Sequence, residues 1–433
     1  MPSWIEEISI VDGPAFIAPF AATIALVVFL FLPGPGVRRS ARAQLTTTAV
    51  AGLVGGIGGA LAVWLVSDVV DAFGVSLSWT IRIADALAFA GLGIAVANFW
   101  GTRWQRKAAA FLTSGLLALS LSLVFNVDFA QYPRLGDALA TTYSEDAELP
   151  RRVADPVPVE EWTAPEDLPE RGSVGKVDIP ATESGFPARG AYVYLPPAAY
   201  AAEPPALPVV VAMAGQPGEP ADIFRAGQVD RILDAVAADH DGLAPIVVVP
   251  DQLGDPTVNP MCLDGPYGDS ETYLTVDVPD WIRSSLNVSD DPADWTVTGF
   301  SQGGTCSLQL AAAHPELFGA LLDIAGEEAP SLGSVEETIE RGFGGDEDAY
   351  RAATPAAILQ ANAPYEDSVA LFAAGERDRK YSASMRTVSA LAAEAGMAVT
   401  VLVSPGTAHD WNTARYGLRE GFAQLLPRWG IDG

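Results

Sequence analysis

Hydrophobic positions along this chain follow two different rhythms. Up to about residue 127 they come in long unbroken runs, Ala15–Leu32, Leu45–Val66, Ile81–Phe99 and Ala108–Val124. Each is close to the roughly 20 residues that a helix needs to cross a bilayer. Four successive runs predict a four-helix transmembrane domain rather than a buried soluble core. From about residue 174 the rhythm changes to short apolar runs set between helical patterns, which predicts a mostly parallel sheet with helices on both faces. Strands are expected at Val177–Pro180 and Ala191–Leu195, as an opening hairpin, then at Pro208–Ala212, Ile246–Val249, Trp295–Phe300, Leu317–Ile324, Val369–Ala373 and Val399–Val403. Helices are expected at Thr305–Ala313, Ala383–Ala395 and Arg415–Trp429. Between the halves, residues 128–173 are rich in Pro, Asp, Glu and Ala without sustained periodicity, as a linker is. The expected organisation is a membrane domain at 1–127, a linker at 128–173 and an α/β domain at 174–433.

The short loops of the first part predict its orientation. Arg38, Arg39 and Arg42 lie between the first and second runs, and Arg103, Arg106 and Lys107 between the third and fourth. The loop between runs two and three carries Asp68 and Asp71 and no basic residue. By the positive-inside rule both basic loops are cytoplasmic, so everything after Val124 is extracytoplasmic and the protein is a multi-pass protein of the cell membrane. Glu6, Glu7 and Asp12 precede the first run, which argues against a cleaved signal peptide. Trp64, Trp79, Trp100 and Trp104 fall near run ends, as interfacial aromatics do. Gly52, Gly55, Gly56, Gly58 and Gly59 read as a helix-packing face. Arg82 and Asp85, one turn apart, are expected to pair with each other near the outer end of the third helix.

Charge changes the picture of partners. The chain has 54 acidic and 25 basic residues. From Asp128 onward the counts are 48 and 18, a net of −30, while the first part is close to neutral. Such a field repels nucleic acid and anionic headgroups, and disfavours a strongly anionic substrate unless a local basic patch offsets it.

The chemistry centres on Thr296-Val297-Thr298-Gly299-Phe300-Ser301-Gln302-Gly303-Gly304. A β-like run enters Gly-x-Ser-x-Gly and a helical pattern follows at once, the strand–turn–helix setting of a nucleophile elbow. Ser301 is the expected nucleophile, and the amide of Gln302 the first oxyanion donor. A serine needs a base, and the chain has three histidines. His240 ends a helical pattern, His314 closes the helix behind the elbow, and His409 lies in the small-residue loop after the last expected strand. His409 is therefore the candidate base. The acid is expected after the preceding strand, in Gly375-Glu376-Arg377-Asp378: Asp378 is the first choice, Glu376 the alternative, and Asp323 and Asp410 are outsiders. The loop Met213-Ala214-Gly215-Gln216-Pro217-Gly218 is the expected source of a second oxyanion amide, that of Gln216. Outside the cell a disulfide between Cys262 and Cys306 is chemically permitted and would pin the Asp251–Ser270 loop to the elbow helix. No zinc or EF-hand spacing is present, so neither metal nor cofactor is expected.

Asp264-Gly265-Pro266-Tyr267-Gly268, Glu271 to Ile282, the elbow and His409-Asp410-Trp411 together resemble the esterase D and antigen 85 mycolyltransferase branch of the α/β-hydrolases, in a membrane-anchored actinobacterial form. The resemblance covers about Val174 to Trp429. It implies an α/β-hydrolase fold, a serine esterase or acyltransferase working through an acyl-enzyme, and an acyl ester substrate such as an envelope lipid or glycolipid. A triad acid of Glu type, as in the mycolyltransferases, would favour Glu376. Two rival readings stay open at this level. One is a non-catalytic envelope-binding protein that retains the hydrolase fold. The other is a transport or sensing membrane protein with an accessory esterase domain, which a functionally required Arg82–Asp85 pair would support.

Overall fold

The computed structural model describes residues 2–70 and 77–431, so the loop residue Asp71 lies outside the described residues. The chain divides into two compact units, Met1–Thr142 and Tyr143–Gly433.

Four helices of the first unit are long and apolar enough to cross a membrane. They are α1 (Gly13–Phe31), α2 (Ala41–Trp64, extended by a wider turn through Val69), α3 (Trp79–Ala97) and α4 (Trp104–Asp128). Pro14 fits the first turn of α1, where a backbone N–H would have no partner. The hydroxyls of Ser40 and Ser78 cap α2 and α3 by accepting from Ala43 and Ile81. Helices α2 and α3 press together through glycine: a Cβ at Gly55 would strike the Phe89 carbonyl, and one at Gly93 the Ala51 carbonyl. Two arginines of the basic loops close helix ends. Arg106 is buried and donates to the carbonyls of Phe29, Leu30, Leu32 and Pro35 at 2.8–3.3 Å, while Arg39 donates to those of Ala97 and Trp100. Cations at helix C-termini satisfy orphan carbonyls and the helix dipole together. The expected Arg82–Asp85 pair is not formed. Side chains on a helix lean toward its N-terminus, and Arg82 reaches back to Asp68 at 2.6 and 3.0 Å, to Ser67 and to the Leu77 carbonyl. Asp85, a turn further on, lies against Gly59 of α2 instead.

In the second unit residues 143–172 run an irregular course over the α/β domain. Ala147 and Lys176 are joined by a backbone hydrogen bond, and Asn287 holds Arg151 and Val153. The domain itself carries an eight-stranded sheet: β1 (Ser173–Val177), β2 (Ala191–Leu195), β3 (Val209–Met213), β4 (Ile246–Val249), β5 (Trp295–Phe300), β6 (Ala320–Ile324), β7 (Val369–Gly375) and β8 (Ala398–Ser404). Its order is β1-β2-β4-β3-β5-β6-β7-β8. Strand β2 runs antiparallel to β1 and β4, and the rest are parallel. Strands β2 to β6 are buried throughout, and β3 and β4 accordingly read as unbroken apolar runs. The opening hairpin differs from expectation. Its first strand is Ser173–Val177, because register sets Ser173 opposite Leu195 and Val177 opposite Ala191, leaving 178–180 in the connection. Likewise 317–319 precede β6 rather than belong to it.

Helices α5 (Val229–Asp239) and α9 (Trp411–Leu425) cover one face of the sheet. The elbow helix α7 (Gln302–Ala313) and α8 (Arg379–Glu394) cover the other, and α6 (Val278–Ser285) precedes β5. All the loops that carry chemistry leave the C-terminal ends of the parallel strands, where this class of sheet binds ligands.

Candidate active site

Ser301 stands between β5 and α7 with φ +59° and ψ −116°. A residue with a side chain meets a steric cost in that region, and holds it only where its surroundings over-determine it. They do. A Cβ on Gly299 would run into the backbone of Gly303, and one on Gly303 into the carbonyls of Met213 and Ala214. Glycine at both positions is a steric necessity of the sharp turn. The Ser301 amide donates to the Ile324 carbonyl at 2.8 Å, tying the turn to the end of β6.

Three side chains meet here from three strand ends. His409, in the loop after β8, has Nε2 at 2.9 Å from Ser301 Oγ and Nδ1 at 3.2 Å from Asp378 Oδ2. Asp378 is buried in the loop after β7, and its other oxygen accepts from the Tyr381 amide at 3.0 Å, capping α8. Glu376 lies elsewhere: it is exposed and accepts from the Gly406 amide, joining the β7 and β8 loops. Asp410 caps α9 through Asn412 and Thr413. Asp323 is enclosed below the elbow, takes a hydrogen bond from Gly326, and is pushed by burial up to about 7. His240 ends α5. His314 ends α7, at the opposite end from Ser301, between the carboxylates of Glu271 and Glu316, whose hydrogen bonds raise its pKa.

The imidazole of His409 is also held on its faces. Tyr381 stacks on it with centroids 3.8 Å apart, and Phe300 stacks at 4.9 Å, with Trp411 against Phe300. Sequence reasoning missed Tyr381 as a site residue. No motif marks it, although its place one turn after Asp378 on a helix would have put it near the base.

The two segments expected to supply oxyanion donors both come close to the serine. Gln302 supplies the first amide of α7. The loop from Ala214 to Gly218 passes so near that a Cβ on Gly215 would lie 3.4 Å from Ser301 Cβ, and Gln216 follows directly. Cys262 and Cys306 form a disulfide with Cα atoms 5.7 Å apart, joining the loop after β4 to α7. Among the described residues no group of His, Cys, Asp and Glu converges as a metal site.

Arg189, just before β2, supports the same rim. Its guanidinium grips Asp251 with two bonds of 2.8 and 2.6 Å and donates to the Gly218 carbonyl at 3.1 Å. A paired arginine joins three loops here that share no sequence proximity.

Residues 187–416 match the family described as "Putative esterase". An uncharacterised protein of Corynebacterium glutamicum is 34% identical over 370 residues, covering 82% of this chain and 83% of that protein. The MPT51 antigen of Mycobacterium leprae is 35% identical over a shorter stretch of 78 residues, 17% of this chain and 25% of the antigen. Among solved structures, an S-formylglutathione hydrolase from Agrobacterium tumefaciens superposes with a TM-score of 0.50 at 20% identity, covering 61% of this chain and 98% of its own. A ferulic acid esterase does so with a TM-score of 0.50 at 16% identity, over 60% and 99%. These likenesses are of fold. The family match and the long relative carry the assignment: the chain belongs to the "Putative esterase" family of α/β-hydrolases and is a carboxylic-ester hydrolase.

Proposed function

We propose that this protein is a membrane-anchored, extracytoplasmic serine esterase or acyltransferase in which Ser301, His409 and Asp378 act as a triad. The observation that carries the reading is the hydrogen-bonded line from Ser301 Oγ through both ring nitrogens of His409 to Asp378, set at the strained turn. Ser301 Oγ attacks the ester carbonyl carbon as its proton passes to His409 Nε2. Asp378 orients the ring and stabilises the imidazolium. The amides of Gln302 and Gln216 receive the oxyanion. Collapse breaks the ester C–O bond, the departing alkoxide takes the proton from His409, and an acyl-serine remains. Water or an acceptor alcohol then attacks the acyl carbon, giving up its proton to His409; the acyl C–Oγ bond breaks, Ser301 Oγ takes that proton back, and the acid or new ester leaves.

Residues 1–127 serve as a four-helix anchor and 128–173 as the linker to the α/β domain. The arginines of the two basic loops support a cytoplasmic location for those loops. The disulfide supports an oxidising compartment for the rest. The substrate is an acyl ester, an envelope lipid or glycolipid among the candidates, and nucleic acid is no partner.

The test uses the full chain in detergent with p-nitrophenyl butyrate and a fluorophosphonate probe. Ser301→Ala and His409→Ala are expected to lower kcat by about 10⁴-fold or more and to abolish labelling. Labelling that survives Ser301→Ala would mean that the nucleophile is another residue.

A further inference from the structure

We propose that Gln252 is a positioning residue that ties the two oxyanion amides into one unit, an inference that rests on the reading of Ser301 above. Gln252 lies in the loop just beyond β4 and is 1% exposed. Its side-chain nitrogen donates to the Ala214 carbonyl at 2.6 Å and to Gln302 Oε1 at 3.1 Å. The first contact fixes the start of the loop that carries Gln216, and the second fixes the residue that carries the other amide. A carboxamide suits this place because one neutral nitrogen offers two N–H groups, so two acceptors are gripped without burying a charge.

The grip continues outward in one direction. Gln302 Nε2 donates to Asn259 Oδ1 at 3.1 Å and lies 3.1 Å from the Cys306 sulfur, and Asn259 Nδ2 donates to the Ser331 carbonyl at 2.9 Å. Each amide donates to the next, and the disulfide closes the far side. Gln302 thus uses its side chain for alignment and keeps its backbone N–H for the developing oxyanion. Amide donors stabilise an oxyanion only when they are aimed at it beforehand, and a misplacement on the order of 1 Å costs about 10²-fold.

The experiment measures p-nitrophenyl butyrate turnover by the full chain in detergent, comparing Gln252→Met, Gln302→Met and the double variant. Each single variant keeps the side-chain length and removes the shared bond. Each is expected to lower kcat about 10–100-fold with KM within about two-fold, at unchanged thermal stability by circular dichroism. Because both remove the Gln252–Gln302 bond, the loss in the double variant is expected to be clearly smaller than the product of the two single losses. Wild-type kcat in Gln252→Met, a change in KM alone, or losses that multiply in the double variant would overturn the proposal. Should Gln252→Met not fold, unchanged kcat in Gln302→Met overturns it equally. Ser301→Ala separates the two claims. If it is inactive while Gln252→Met turns over normally, only the positioning role falls; if it is active, the reading of the serine falls first.

Discussion

The ring of His409 is fixed in four directions at once. Two hydrogen bonds lie along its edge and two aromatic faces lie across it. The edge contacts set the tautomer, and the faces set the tilt. In the proposed mechanism the ring takes the serine proton, and the positive charge then lies against the π face of Tyr381, an arrangement worth about 0.5–2 kcal/mol. Tyr381→Phe is therefore expected to hold kcat within about two-fold, whereas Tyr381→Leu lowers it about ten-fold. Asp378→Asn is expected to cost about 10⁴-fold and Glu376→Gln almost nothing. Steady-state kinetics at one pH decides all four. Ser301 and His409 were individually legible, since a nucleophile elbow and a histidine after the last strand are marked by chain order, whereas chain order left both Asp378 and Glu376 open as the acid. Tyr381, Gln252 and Asn259 were not legible. Their neighbours are distant in sequence, and a glutamine or tyrosine has no spacing rule that marks it.

Among elements, the buried strands were the most legible because both faces are apolar. The opening strand β1 was the least so: Ser173, Gly175 and Lys176 give no alternation, and its position comes from pairing with β2 on one side and with residues 145–147 on the other. In the first unit the helices were plain from hydropathy, but the partner of Arg82 was not, because side-chain lean decides it rather than spacing. Strand β6 carries a buried carboxylate, Asp323, at its penultimate position. Asp323 shifts from the ordinary 3.8 to about 7 on burial. In the unfolded chain it loses its proton near pH 4, so between about pH 4 and 7 the unfolded state sheds a proton that the folded state keeps. Stability falls across that window as pH rises, and levels off above it. Asp323→Asn keeps the acceptor for Gly326 and removes the titration. Its unfolding midpoint is expected to match the wild type at pH 4 and to exceed it at pH 7.5, by an amount equivalent to a few kcal/mol at most. Thermal unfolding followed by circular dichroism at both pH values checks this. A parallel fall in both proteins would mean that the pH dependence lies in other groups.

For the molecule as a whole, the net charge of −30 beyond residue 127 sets which partners approach. A field of that sign works at range only where salt does not screen it, about 10 Å at 0.1 M, so it selects among diffusing esters rather than shaping the bond-breaking step. The sheet order has another consequence. Ser301 directly follows β5, which is flanked by β3 and β6 near the middle of the sheet. His409 arrives from β8, the outermost strand, whose Val401 and Val403 are exposed. Proteins open locally from such margins long before they unfold globally. The proposed nucleophile and the proposed base therefore hang from strands of different expected local stability. Amide hydrogens of β8 should exchange much faster than those of β5. On gentle heating, fluorophosphonate labelling should fade while far-ultraviolet dichroism is still native, and return on cooling. The outer strand would then act as a fuse: activity is lost there first, reversibly, while the turn that holds the serine stays intact.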